Sequence, residues 1–243
     1  MRFRIMGVLH LLLFSMAATA HAQGGVNLRW SDCASGIGFT HASFACATNT
    51  GTHTVVASFV PPPGVTALGR TAIALRICAE TPSYPAWWEL FNPGSCRPSS
   101  LVWTSPGGVS CLNPWEGAPV AGSIISVGPG LGTADRLVYA DSHTADGSGH
   151  AVDPTLEYEA VRLVIDHDHT VGTGACAGCI APVWLVLEQV DLFMTDGSPP
   201  IHLTMPVQGL YATWQSTIYT WPPCLIPTPA RNRTWGEIKS LYR

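Results

Sequence analysis

Two apolar runs near the middle of the chain set the pattern for the rest. In Tyr158–Asp166, Val161, Leu163 and Ile165 alternate with Arg162, Val164 and Asp166, the period-two signature of a half-buried strand. The second run, 182–192, is almost continuously apolar and includes Val and Trp, which suits a central strand. Between them, Gly172, Gly174 and Gly178 let the backbone turn tightly around Cys176-Ala177-Gly178-Cys179. The two runs therefore predict a hairpin at the centre of a sheet. Shorter apolar stretches recur at 26–30, 53–60, 71–78, 86–91, 100–103, 120–127, 136–140, 201–205 and 210–215. Turn signals such as Pro61-Pro62-Pro63-Gly64, Asn92-Pro93-Gly94 and Ser105-Pro106-Gly107-Gly108 separate them. Short strands punctuated in this way predict an all-β fold, a single jelly-roll-like β-sandwich.

Both ends of the chain depart from that pattern. Arg2 and Arg4 precede an apolar run over 5–18, and Ala20-His21-Ala22 offers small residues where a signal peptidase reads. Residues 1–22 are thus expected to be a secretory signal peptide. The run is shorter than the roughly 20 residues of a membrane-spanning helix, so no transmembrane segment is expected after cleavage. The sandwich is assigned to 23–219. Over 220–233, four prolines between Pro222 and Pro229 predict a stiff connector unfit for a central strand. At 234–243, Thr234-Trp235-Gly236-Glu237 reads as a capping box, and Trp235, Ile238, Leu241 and Tyr242 recur at helical spacing. A helix of about two turns is marginal alone, so these four side chains are expected to dock on a surface.

Composition narrows the function classes. With 47% hydrophobic residues the chain can bury a core, and with 24 glycines, 20 prolines and only 12% charged residues its surface is carried by hydroxyls and turns. Loss of Arg2 and Arg4 with the signal takes the formal charge from −4 to −6, which leaves no basic face for nucleic acid. The charge is uneven. Arg231, Arg233, Lys239 and Arg243 crowd the C-terminus against Glu237 alone, so a basic tail follows an acidic body. The 8 cysteines all follow the signal, which argues for disulfides and a secreted or extracytoplasmic chain, whether periplasmic, surface-bound or released. Proximity suggests Cys33 with Cys46 and Cys96 with Cys111. Cys176 and Cys179 bridge each other or reach elsewhere, which leaves Cys78 and Cys224 as a long-range pair.

The opening Trp30-Ser31-Asp32-Cys33 with Phe44-Ala45-Cys46-Ala47-Thr48-Asn49 is the first of four distinctive segments. The others are Trp87-Trp88 followed by Gly94-Ser95-Cys96-Arg97, the Thr173–Cys179 loop, and the closing Thr234-Trp235-Gly236-Glu237-Ile238-Lys239-Ser240-Leu241-Tyr242-Arg243. Together they resemble a group of exported bacterial proteins of unknown function. The resemblance spans most of the mature chain and implies a bacterial envelope or extracellular setting. It carries no catalytic residues.

Four stretches are candidates for chemistry. Cys176-Ala177-Gly178-Cys179 has the spacing of a redox dithiol, but strand-like runs flank it where such chemistry uses a helix N-terminus, so a structural disulfide is the stronger reading. In Asp166-His167-Asp168-His169 a continued strand would put His167 and His169 on one face, where with the two thiolates they would form a tetrahedral zinc site. The plainer reading is a polar strand end. The stretch 141–153 gathers Asp141 and Asp146 with further carboxylates and histidines, a candidate calcium loop whose spacing is not that of an EF-hand; a solvated turn is the stronger reading. Trp87 and Trp88, if on a strand, face opposite ways, so one of them is a candidate platform for a sugar ring or a protein. No serine sits in a nucleophile elbow. The sequence therefore favours a non-enzymatic surface, structural or binding module with no cofactor and a protein or glycan partner, over a redox or metal-dependent enzyme centred on the Cys-Ala-Gly-Cys loop.

Overall fold

The computed structural model describes residues 24–129 and 135–216. The expected signal peptide (1–22), connector (220–233) and amphipathic helix (234–243), with Trp235, Ile238, Leu241, Tyr242 and Cys224, lie outside the described residues.

The chain folds as a β-sandwich. Its strands are β1 (Gly25–Trp30), β2 (His41–Ala42), β3 (Thr52–Val60), β4 (Leu68–Ala79), β5 (Leu101–Thr104), β6 (Val120–Pro129), β7 (Asp135–Thr144), β8 (Tyr158–Asp166), β9 (Val183–Met194), β10 (Ile201–Leu203), β11 (Pro206–Gly209) and β12 (Tyr211–Trp214). One sheet has five strands in the order β11-β1-β3-β8-β5. The other has seven, in the order β2-β12-β9-β4-β7-β6, with β10 also on β9. The pairs β11–β1 and β2–β12 are parallel, and all the others are antiparallel. Residues 201–214 bind the layers together: β10 lies on β9, β11 crosses to the far edge beside β1, and β12 returns to β9.

Alternation places the core. On β1, Val26, Leu28 and Trp30 point inward, on β3 Val55, Ala57 and Phe59, and on β8 Val161, Leu163 and Ile165. They meet Ile73, Leu75 and Ile77 of β4 and Val183, Leu185 and Leu187 of β9. The near-continuous apolar run of β9 has a structural cause. Trp184 and Val186, which point the other way, are buried in a second cluster with Cys78 on the outer face of the seven-stranded sheet.

The expected central hairpin does not form. β8 sits between β3 and β5, while β9 sits between β4 and β12 in the opposite sheet. Residues 167–182 cross between the layers, and that connection is far longer than the about two to five residues of an ordinary hairpin loop. Residues 86–91 are not a strand either. Pro85, at φ −68°, leads into a single 3₁₀ turn over Ala86–Trp88. β7 runs on through Thr144, because its polar residues find partners inside the fold. Ser142 accepts from Trp115 Nε1 at 3.0 Å, and Asp141 accepts from Ser123 N at 3.1 Å.

Candidate functional site

The Cys-Ala-Gly-Cys loop is a structural junction. Gly178 has φ +109°, and a side chain there would put its Cβ 2.4 Å from Pro85 Cβ, so only glycine fits. Trp87 N donates to Ala177 O at 2.9 Å and Trp214 Nε1 to Cys179 O at 2.6 Å. Cys176 bonds to Cys96 and Cys179 to Cys46, while Cys33 bonds to Cys111. Neither suggested near-neighbour pairing, Cys33 with Cys46 or Cys96 with Cys111, forms, and Cys176 and Cys179 reach elsewhere instead of bridging each other. Cys33 and Cys46 serve different loops, one pinned to 111 and the other drawn to the loop ahead of β9. With Cys176 and Cys179 each closed onto a distant cysteine, the loop offers no dithiol. Cys78 is also disulfide-bonded.

Beside this junction lies an aromatic cluster that the sequence did not reveal. His53 Nε2 and His167 Nε2 are 2.7 Å apart. Phe44 stacks on His53 at 3.7 Å between ring centroids, and Trp214 lies 5.1 Å from His53 and 5.8 Å from His167. Burial, and then the neighbouring imidazole, push the His53 pKa down to about 4. Burial likewise lowers that of His167. Both rings are therefore neutral at pH 7, one donating and one accepting across the short Nε2 contact. Arg97 closes the cluster. It is fully buried, its guanidinium lies 3.6 Å from the Trp87 ring centroid, and it donates to the carbonyls of Asp168 (2.7 Å), Trp87 (2.8 Å) and Asp166. Burial lowers its pKa to about 10, so it stays charged at pH 7. The Thr170 hydroxyl is engaged too, donating to His167 O and accepting from Trp87 Nε1. The group is packed into the fold, with Phe44 and His53 half-buried at its edge.

The other sequence candidates separate. Trp87 and Trp88 share the 3₁₀ turn and are both buried, so neither is a platform for a ligand. β8 ends at Asp166, and His169, at φ 57°, turns out to solvent while His167 turns in, so the two imidazoles share no face. Asp141 is buried on β7, where it receives Arg70 Nε at 3.2 Å and Ser123 Oγ at 2.9 Å. Asp146 sits exposed in the turn that follows, and its carboxylate accepts from Ser148 N at 3.0 Å, a bond that lowers its pKa. Among the described residues no group of three or more His, Cys, Asp or Glu is placed to hold a metal ion.

A surface site emerges instead on the outer face of the five-stranded sheet. The Cys33–Cys111 disulfide packs on Val56 and holds two loops over that face. Asp32 ties the same loops, accepting from Cys33 N (2.7 Å), Ser110 N (2.6 Å) and Ser110 Oγ (2.6 Å). Burial alone would raise its pKa, but these donors outweigh burial and lower it. Next to the loops is a groove of about 440 Å³. Its floor is polar. Glu157 accepts from Asn27 Nδ2 (2.9 Å), Ser35 N (2.7 Å), Ala34 N (3.2 Å) and Ser58 Oγ. Burial again opposes these bonds, yet its pKa is lowered. The rim is aliphatic and open: Leu112, Leu156 and Val207 are 44%, 42% and 38% exposed. Val207 belongs to β11, the outermost strand, where residues 206–208 are exposed. Three isolated aliphatics scattered over 112–207 leave no periodicity to detect, so only the fold could assemble them.

No protein-family model matches the chain, and no curated protein shows significant similarity to it. Among solved structures, a type II cohesin domain from the cellulosome of Acetivibrio cellulolyticus is similar over 74% of this chain and 95% of that chain, at 9% identity and a TM-score of 0.29. At that TM-score the likeness says nothing of function, and the sandwich architecture stands on the strand pairing itself. No helix among the described residues is long and apolar enough to cross a membrane.

Proposed function

We propose that this chain is an exported, non-enzymatic β-sandwich that acts outside the cytoplasm as a protein-binding or structural module, and that it engages its partner through the groove beside β11. The disulfides support the compartment, because such bonds persist where the surroundings are oxidising. The observation that carries the reading is the groove's construction. Its charged floor is already satisfied from within, so a ligand gains by covering Leu112, Leu156 and Val207 and leaves no carboxylate unpaired. An aliphatic rim suits a protein segment better than a glycan, which is held by stacking on aromatic rings. The outermost position of β11 adds a backbone edge on which an extended segment can pair.

A photo-crosslinking residue at Leu156, in the protein exported by its own host, tests the reading. It is expected to yield a discrete protein adduct that the same residue at Ile180, an exposed position outside the groove, does not. Leu112→Asp should abolish the adduct without moving the melting temperature. Equal adducts at both positions, or an adduct indifferent to Leu112→Asp, would refute the assignment.

A further inference from the structure

The groove beside β11 holds charge that the described fold does not neutralise. Residues 24–129 and 135–216 contain six arginines and no lysine. Five of them, Arg70, Arg76, Arg97, Arg136 and Arg162, pair with carboxylates elsewhere. The sixth, Arg29, donates to Gln208 Oε1 at 3.3 Å. Glu157 in the groove floor, and Asp32 behind it through Ser110, form no ion pair among the described residues. Their donors are neutral. Along one loop, Cys33 N and Ile37 N donate to Asp32, while Ala34 N and Ser35 N donate to Glu157. Such bonds lower the pKa of both carboxylates and keep both ionised at neutral pH, but they leave the net charge in place. Two like charges set among low-dielectric walls focus negative potential on the groove.

The same hydrogen bonds select among cations. Glu157 Oε1 already accepts from Asn27 Nδ2, Ala34 N and Ser58 Oγ, which fills its lone pairs. Oε2 accepts from Ser35 N at 2.7 Å, and beyond that amide it has the exposed Ser35 hydroxyl beside it, a neutral donor that an incoming cation displaces. A guanidinium binds a carboxylate best through both oxygens, and one of these is taken. An ammonium needs only one. Its four-carbon stem is apolar and matches the exposed rim of Leu112, Leu156 and Val207.

Resting on the reading that this groove engages a protein, we propose that it captures a lysine side chain from an extended segment of the partner, with the ammonium on Glu157 Oε2 and the stem along Leu156 and Val207. The aliphatic rim supplies contact area, and the uncompensated carboxylate decides which segment is accepted.

The test uses the full exported chain, oxidised as isolated, titrated with three acetylated and amidated pentapeptides, Val-Leu-X-Leu-Val with lysine, glutamine or arginine at X, and followed by amide NMR. At low ionic strength the lysine peptide is expected to shift the Ala34 and Ser35 amides and to bind about fivefold more tightly than the glutamine peptide, the upper end of what a solvent-touched ion pair supplies. That advantage should shrink in about 1 M salt, where the Debye length falls to about 3 Å. The arginine peptide should bind no more tightly than the lysine peptide. Equal affinities for lysine and glutamine, with shifts in the groove, would overturn the lysine anchor and leave the groove's protein-binding role standing. No shift from any of the three would likewise overturn the anchor, while the groove reading is decided by the Leu156 adduct. Tighter binding of the arginine peptide would overturn the choice of an ammonium. Binding seen only in the Lys239→Gln variant would overturn the outside partner, because the chain's own single lysine would then be the occupant.

Discussion

The histidine pair makes the stability of this fold acid-sensitive in a way that can be assigned to one ring. His53 is held neutral in the fold, with a pKa of about 4 against an ordinary value of 6.5. Between those limits the unfolded chain binds the extra proton and the folded chain does not. Its contribution is therefore fully present above about pH 6.5 and is lost as the pH falls toward 4. Applied in full, that shift removes about 2 kcal/mol between pH 7 and pH 5. Because the ring is only half-buried, solvent screening brings the expected loss to about 1 kcal/mol. His167, lowered in the same direction, adds to the loss of the wild type, so the difference between proteins is the informative quantity. Urea unfolding followed by tryptophan fluorescence reads it directly, since Trp214 lies 5.1 Å from His53. His53→Gln keeps a neutral donor facing His167 and removes the titration. From pH 7 to pH 5, the wild type should lose about 1 kcal/mol more than this variant. Equal losses, to within a few tenths of a kcal/mol, would refute the claim that burial of His53 opposes its protonation.

Two further changes probe the scaffold. Arg97→Lys removes a planar fork that meets three carbonyls and a tryptophan face, so it should lower the unfolding free energy by about 3 kcal/mol, seen as a shift of the urea midpoint; wild-type stability would show the buried guanidinium to be dispensable. The double change Cys33→Ala with Cys111→Ala, which opens a sequence separation of 78 residues, should cost about 3–4 kcal/mol and make 32–38 and 105–112 the first sites of limited proteolysis, whereas cleavage elsewhere would mean that Asp32 alone holds those loops.

Local pattern carried far in this chain where one face of a strand meets the core. Val161, Leu163 and Ile165 announced β8, and Val55, Ala57 and Phe59 sit inward on β3 as their spacing required. Pattern failed where a residue's partners are distant in sequence. Val183 to Leu187 looks alike whether both its faces meet the core or one meets a separate cluster, so the second cluster around Trp184 left no local mark. Trp87-Trp88 looked like strand because bulky apolar residues favour strands, but Pro85 leads into a 3₁₀ turn there, and Trp87 N donates to Ala177 O.

The cysteines show most clearly why the sites were harder to see than the fold. Proximity along the chain suggested Cys33 with Cys46 and Cys96 with Cys111, because a short loop closes at little entropic cost, and left Cys176 and Cys179 to bridge each other or reach elsewhere. In the folded protein the sheets have already brought Cys46 and Cys96 to the same end, and the turn at Gly178 sends the two sulfurs to different partners. The loop that looked most like a reactive centre thus fastens the fold, and His167, Trp87 and Trp88, which looked like ligands, are buried near it, while His169 turns out to solvent. With those side chains consumed in this way, the proposed recognition falls to residues with no motif at all. Leu112, Leu156 and Val207 come from three separate segments and meet only because Glu157 and Asp32 hold the intervening loops against the sheet. Aliphatic side chains left exposed around a floor whose polar groups are already paired are the surface on which the proposed binding rests, and such a surface is legible only after the strands have been put in place.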